Sequence, residues 1–308
     1  MLKSIFVICA LSLSLSHSKP VIAITKIAPH PSLDAIEQGV RDGLKNSGIE
    51  ADIIADNAQG NITTATQIAK KYVGKKVDLI IPITTPSAQT AYQAAKTSSI
   101  PIVFAGVSDP VAAKLVDAQT KKGDGITGVS DLSPIKEQVD LIKTLQPTAK
   151  TIGVIYNPSE ANSVSLLSLF TVEAKQQNID VKGFACPSVT DLIMVSKSIS
   201  EKVDAVYIPN DNTVISGLDI VLKNVKEIPI YAADPESVDR GCLACVAMGQ
   251  YDMGVKTGEL AALVLKGKVI SEIPVVQTTD VVKKINQSTA DRLGIEIPKD
   301  LKSKRIGA

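Results

Sequence analysis

Short apolar runs alternate with amphipathic helical stretches almost from one end of this 308-residue chain to the other. The apolar runs fall at 21–25, 51–55, 78–83, 102–105 and 126–129, and again at 151–156, 179–184, 205–208, 228–231 and 243–248. Between them, apolar residues recur at helical spacing near 32–47, 62–73, 86–96, 134–145, 160–177, 190–200, 213–226 and 250–266. Strands that are apolar without alternation are covered on both faces, which implies parallel sheets flanked by helices. The rhythm runs twice, with a break at Lys121-Lys122-Gly123-Asp124-Gly125 and no residue-level repeat. The expectation is an α/β chain of two doubly wound, Rossmann-like lobes of similar size rather than one very large sheet.

Helix starts are marked by polar residues beside proline or directly after a strand. Thr85-Pro86 and Ser133-Pro134 place a capping residue before a proline at the first helical position, and Glu137 sits in a first turn where the helix dipole favours it. Asn157-Pro158-Ser159-Glu160 and Asp211-Asn212-Thr213 offer polar caps, and Gly48, Gly74 and Gly267 close helices.

Residues 1–18 read as a secretion signal. Lys3 opens it, an apolar stretch from Ile5 to Leu15 follows, and Ser16-His17-Ser18 gives the small residues preferred before cleavage at Lys19. The apolar stretch is shorter than the roughly 20 residues a spanning helix needs. Bulky residues precede Cys9, which argues against lipid attachment there. The expected location is therefore outside the cytoplasm, in a periplasm or on the outer face of the cytoplasmic membrane. The formal net charge is +1, with 33 Lys and Arg scattered among 32 Asp and Glu. No basic patch for nucleic acid is built that way.

In open α/β sheets, ligands bind outside the carboxyl ends of the strands, where helix N-termini converge. The residues just past each strand therefore form the candidate site. They include His30, Thr84, Thr85, Ser87, Ser108, Asp109, Tyr156, Glu160, Asp211, Asn212, Asp234 and Glu236. Each taken singly reads as a plain helix cap or turn residue, but six such loops on one edge are unlikely to be caps alone. Hydroxyls, amides and carboxylates dominate, and Lys and Arg are scarce. Such a lining suits a small ligand carrying both an ammonium and a carboxylate better than a phosphate.

Signatures of catalysis are missing from the sequence: no phosphate-binding G-x-x-x-x-G-K-S/T loop, no G-x-S-x-G elbow, and no G-x-G-x-x-G after the first strand. Neither a cofactor nor a metal is expected. Cys242 and Cys245 have C-x-x-C spacing, yet there is no second such pair, and His30 is the one histidine beyond the leader. Leu243 to Met248 reads as a buried strand, which makes these cysteines core residues.

The chain resembles the substrate-binding proteins of ABC importers, specifically the tryptophan and aromatic amino-acid binders of the TrpX kind. The similar segments include His30-Pro31-Ser32-Leu33-Asp34, Asn57-Ala58-Gln59-Gly60, Thr84-Thr85-Pro86-Ser87-Ala88-Gln89 and Ser108-Asp109-Pro110. Beyond these come Tyr156 to Ser163, Tyr207 to Thr213, Asp234 to Val238 and Tyr251-Asp252-Met253-Gly254. The resemblance implies a type I periplasmic-binding-protein fold, with lobes of 19–130 plus 246–272 and 131–245 plus 273–308 joined by a hinge. It places the ligand between Thr84, Thr85, Ser87 and Gln89 in the first lobe and Glu160, Asn162, Asp211 and Asn212 in the second. The helix N-terminus at Pro86–Ser87 would hold a carboxylate and Asp211 an ammonium. Phe104, Tyr156, Tyr207 or Tyr231 would pack against the ligand side chain.

Two departures stand out. Cys242 and Cys245 replace the family's usual small residues, and aromatics make up only 3% of the chain, with no Trp, which weakens the case for an aromatic ligand. The expected role is a monomeric, non-enzymatic binder that presents a small solute to an ABC permease. A ligand sensor for a membrane receptor is the alternative, with an exported hydrolase behind it. A LacI-like regulator would need a helix-turn-helix where the leader lies.

Overall fold

The computed structural model describes residues 18–120, 122–277 and 281–306, with side chains given up to Leu301. Residues 1–17, all but the last of the expected secretion signal at 1–18, and Lys121 lie outside the described residues. The chain begins β1 (Val21–Lys26), α1 (Pro31–Asn46), β2 (Asp52–Asn57), α2 (Ile62–Gly74), β3 (Leu79–Ile83), α3 (Thr85–Ala95), β4 (Ile102–Ala105) and β5 (Ile126–Ser130). It continues with α4 (Ile135–Leu145), β6 (Thr151–Tyr156), α5 (Ala161–Gln176), β7 (Asp180–Ala185), α6 (Leu192–Ile199) and β8 (Ala205–Ile208). Then come α7 (Asn212–Ser216), α8 (Leu218–Asn224), β9 (Ile230–Ala232), α9 (Pro235–Arg240) and β10 (Ala244–Met248). The last elements are α10 (Gln250–Leu265), β11 (Val276–Gln277), β12 (Val281–Asn286), α11 (Gln287–Leu293) and β13 (Arg305–Ile306).

Two sheets result. The first has the order β2-β1-β3-β4-β5-β11 and the second β7-β6-β8-β9-β10-β12-β13. Pairing is parallel throughout except between β10 and β12. The fully buried strands β3, β4, β5, β8, β9 and β10 fall on the continuous apolar runs of the sequence, as sheets covered on both faces require. Ile22, Ile24, Leu79, Ile81 and Phe104 anchor the first core. The second sheet has one cluster around Val154, Phe170 and Tyr207 and another around Ile208, Leu218 and Cys245.

The chain crosses between the sheets later than expected. Residues 246–248 belong to β10 in the second sheet, and β11 pairs with β5 in the first sheet, beyond residue 273. The run 243–248 is uniformly apolar, so nothing in it marks a change of lobe. The helix expected at 213–226 is two short helices meeting at Gly217.

Helices α1 and α10 lie against each other with almost nothing between their backbones. A Cβ on Gly39 would come within 2.2 Å of the Tyr251 carbonyl, and one on Gly258 within 2.4 Å of the Val40 carbonyl. Gly43 and Gly254 stand equally close to the facing helix. Only glycine permits this approach.

Candidate functional site

Strand order fixes where a site can form. In each sheet the order reverses beside the first strand of the lobe, at β1/β3 and at β6/β8. A doubly wound sheet opens a crevice at that point, outside the carboxyl ends. The loops there are 27–30 and 84–87 in the first lobe and 157–160 and 209–212 in the second. His30, Thr84, Thr85, Asn210 and Asn212 of these loops line a cavity with room of about 20 Å³ for water, which the 157–160 loop does not reach.

From the first lobe the cavity receives His30 and Ser32 at the head of α1, Thr84 and Thr85 at the head of α3, Ser108 past β4 and Asp131 past β5. Asn162, Asn210, Asn212, Ile215 and Asp234 come from the second lobe, and Gln250 sits at the start of α10. Thr84 has φ 81° and ψ 162°, a region nearly reserved for glycine that costs a β-branched residue about 1–3 kcal/mol. Strain of this kind persists only where the surroundings impose it. Here it sets the start of α3, where Pro86 has no N–H and the first-turn N–H groups of Thr85 and Ser87 have no intrahelical acceptor.

The walls carry hydrogen-bonding groups with nothing to bond. Both ring nitrogens of His30, the hydroxyls of Thr84 and Thr85, and Oδ1 of Asn162 are buried without a partner; the hydroxyl of Ser87 is too, but Ser87, expected at the site, lies outside the lining. Folded proteins rarely leave such groups unsatisfied, and here all but Ser87 converge on one space. Burial pulls the His30 imidazole down to about 4, so near neutral pH it offers one donor and one acceptor.

Two carboxylates face the same space. Asp131 Oδ1 accepts from Ser108 Oγ at 2.9 Å and Oδ2 from Asn210 Nδ2 at 3.0 Å. Burial pushes it up to about 6. Asp234 accepts from Ser32 Oγ at 2.9 Å, and it caps α9 through Ser237 N at 2.9 Å and Ser237 Oγ at 2.6 Å. Among the described residues lining the cavity there is no Lys or Arg. A buried carboxylate without a cation is costly, so Asp131 in particular is poised to accept a positive charge from outside the protein.

Several expected site residues stand elsewhere. Asp211 is not in the cavity wall. It caps α7 through Val214 N at 2.8 Å and also accepts from Asn157 N at 2.5 Å and Ser163 Oγ at 2.6 Å. Its lone pairs are thus spent inside the second lobe, and burial, with the nearby Glu160 charge, pushes it up to about 7. Glu160 accepts from Asn212 N and Nδ2, Thr213 N and Oγ1, and Asn162 Nδ2. Gln89 donates to the Ala113 carbonyl, and Asp109 turns away to cap its own loop and accept from Ser165 Oγ of the second lobe at 2.8 Å. Glu236 lies beside Asp234 without lining the cavity, with burial raising it to about 7.

Of the aromatic candidates, Phe104, Tyr207 and Tyr231 are core residues, and Tyr156 is half-buried at the end of β6, outside the cavity lining. Tyr207 stacks on Phe170 with ring centroids 4.2 Å apart and donates to Gln138 Oε1; Tyr231 donates to Gln146 Oε1. Phe104 packs on Gly128, and Tyr156 on Gly183. Cys186, Cys242 and Cys245 are free and buried. The helix starts also differ from expectation: α3 is capped by Thr84 and α4 by Pro134, neither with a side-chain bond. Asp131 and Gln250 were missed, although both follow a strand end, the same signal that found the other loops.

A protein-family model for ABC transporter substrate binding proteins matches residues 21–305. The chain belongs to that family. This substrate-binding protein has the type I periplasmic-binding-protein architecture, and family members of this kind take small-molecule solutes and work with membrane permeases. It is 39% identical over 287 residues to a tyrosine-binding protein of Clostridioides difficile, across 91% of this chain and 83% of that one. A Streptococcus pneumonia ABC domain solved with L-Trp is 35% identical, with TM-score 0.90 over 94% of this chain and 100% of that one. A ligand-free, open substrate-binding protein with adhesive properties from Clostridium difficile is 36% identical over 94% and 99%, but its TM-score is 0.71. In the binding protein described here the two lobes meet through the Ser32–Asp234 and Ser165–Asp109 bonds. Among the described residues no helix is long and apolar enough to cross a membrane.

Proposed function

We propose that this protein captures an α-amino acid outside the cytoplasm and delivers it, unchanged, to a membrane permease. The observation that carries the reading is the pairing of two opposite sites across one small cavity. Unsatisfied hydroxyls and free N–H groups at the head of α3 suit a carboxylate, which the helix dipole favours. Asp131, buried and without a cation, suits the ammonium. A zwitterion satisfies both at once, and the second lobe closes the same cavity with Asn162, Asn210 and Asn212, so binding favours the closed form. The tyrosine-binding relative and the L-Trp complex support an amino acid as the ligand class.

The test is a thermal-shift panel on protein unfolded and refolded to strip any carried ligand. Ligand at a hundred times its dissociation constant should stabilise the fold by about 2.7 kcal/mol. Free amino acids should raise the melting temperature, while their amides and their deaminated acids should not. Recovery of the ligand unaltered after prolonged incubation would match a binder without turnover. Stabilisation by sugars or polyols with no response to amino acids would overturn the reading.

A further inference from the structure

Beside the cavity, the head of α1 in the first lobe abuts the head of α9 in the second. Ser32 Oγ donates to Asp234 Oδ1 at 2.9 Å across this junction, and the same hydroxyl is close enough to Glu236 to ease its ionisation. One hydroxyl proton thus serves two carboxylates. Glu236 fares the worse, because its Oε2 is buried with no hydrogen-bond partner. Nearby cations are already taken. Lys284 of β12 is held by Asp239 at 2.6 Å, Arg240 by Asp219 at 3.0 Å, and Lys26 lies between Asp34 and Glu37 on the α1 side. His30, at the head of α1, is pulled down to about 4 by burial and is neutral near pH 7. Cys245 of β10 keeps its proton, its thiol pushed well above the usual range by burial, and Tyr231 of β9 donates its hydroxyl to Gln146. Two like charges in a dry junction with no free cation are costly.

We propose that this junction is a proton-operated clasp, in which the lobes come together as Glu236 takes up a proton from solvent. The protonated carboxyl can donate to Ser32 Oγ, which has lone pairs to spare while its own proton goes to Asp234. The chain Glu236–Ser32–Asp234 then joins α9 to α1 with one negative charge instead of two. When the lobes part, Glu236 meets water and gives the proton back. Burial first, and then the Asp234 charge, push Glu236 up to about 7 in the joined lobes, against an ordinary 4.5. A value raised on joining favours the joined form at low pH, and that advantage is gone once pH has passed about 7. A solute that draws the lobes together near neutral pH therefore takes up a proton as it binds, at a carboxyl outside the wall of the cavity.

The experiment is energy transfer between dyes on single ligand-free molecules, attached at Lys70→Cys of α2 and Lys197→Cys of α6. Both positions are exposed, and the native cysteines are buried. It reads the ratio of joined to parted molecules at pH 6 and pH 8, for the parent and for Glu236→Gln, which keeps the shape and a donor but cannot titrate. His30 and Asp131 titrate beside the cavity in both proteins, so the comparison isolates Glu236. Relative to the Gln variant, the joined-to-parted ratio of the parent should fall about tenfold from pH 6 to pH 8, as one group at about 7 requires. The same relative fall should appear against Glu236→Ala, a second variant that also removes the titrating group. A parent-to-variant comparison that stays constant between the two pH values would overturn the clasp. So would a Gln variant that is more open than the parent at pH 8.

Discussion

The hydroxyl of Ser32, at the head of α1, donates to the carboxylate of Asp234, at the head of α9, across 2.9 Å and from one lobe to the other. Asp234 holds α9 through Ser237 whether or not Ser32 is present, so the bond is a latch rather than a structural cap. Ser32→Ala should leave the fold intact and tip the ligand-free molecule toward the open form. A bond from a neutral donor to a charged acceptor is worth about 1.5–3 kcal/mol, so affinity should drop by about 10- to 100-fold. Calorimetry gives the affinity, and small-angle scattering of the ligand-free protein should show a larger radius of gyration. Identical scattering and affinity would rule out the latch.

Asp131→Asn keeps the shape of the side chain and removes its charge. Losing a charge-assisted bond to the ligand ammonium should weaken binding by about 10- to 100-fold. The ligand-free protein should melt no lower than the parent, because the charge removed is buried and has no cation partner. The pH dependence has a definite sign. Asp131 must be ionised to hold an ammonium, and its value in the empty site is about 6. Affinity should therefore decline as pH falls below about 6, and the decline should be absent in the Asn variant.

Asp131 and Asp211 also mark the limit of what the sequence discloses. Each is an aspartate within three residues of a strand end in a polar loop. The rule that ligands bind beyond strand ends found the loops, and His30, Thr84, Thr85, Asn162, Asn212 and Asp234 do line the cavity. What separates the two aspartates is who else claims their oxygens. Asp211 is claimed by Val214, Asn157 and Ser163, a count that depends on loops distant in the chain. Strand β12 was invisible for another reason: it lies near the sheet margin, beside the two-residue strand β13, with Val281 and Val282 exposed and two lysines following, so it lacks the apolar pattern of a buried strand.

Ligand-free stability should fall as pH rises from 6 to 8. Asp211 and Glu236 stand at about 7 in the folded protein, against ordinary values of 3.8 and 4.5. Raised values mean that the folded state binds these protons more tightly than the unfolded chain does. The resulting stability is present at low pH and is lost as pH passes about 7. His30 acts in the opposite sense across a window from about 4 to 6.5, so it opposes the decline only at the low end of this range. Melting temperatures across pH 6–8 test the slope, and Asp211→Asn should flatten it. A rising melting temperature would contradict these carboxylate environments.

Thr84→Gly should separate stability from binding. Glycine tolerates the φ of 81° that strains threonine, so the variant should regain about 1 kcal/mol in chemical denaturation. It also loses an unpaired hydroxyl at the proposed carboxylate site, and affinity should fall several-fold. Loss of stability would show that the strain is compensated locally.

Gly39→Ala tests the contact between α1 and α10. The new methyl would sit 2.2 Å from the Tyr251 carbonyl, and backbone cannot yield cheaply there. The expected cost is about 1–3 kcal/mol in urea titrations.

That contact also gives the molecule a lever. The chain leaves the second sheet at Met248 and enters α10 at Gln250, and α10 is seated on α1, whose leading end bears Ser32 and, two residues earlier, His30. Packed backbone to backbone, the pair has no side-chain cushion to absorb a shift. A tug on the leading end of α1 when ligand arrives is therefore delivered, as through a rigid rod, to the strand connection about which the two lobes turn.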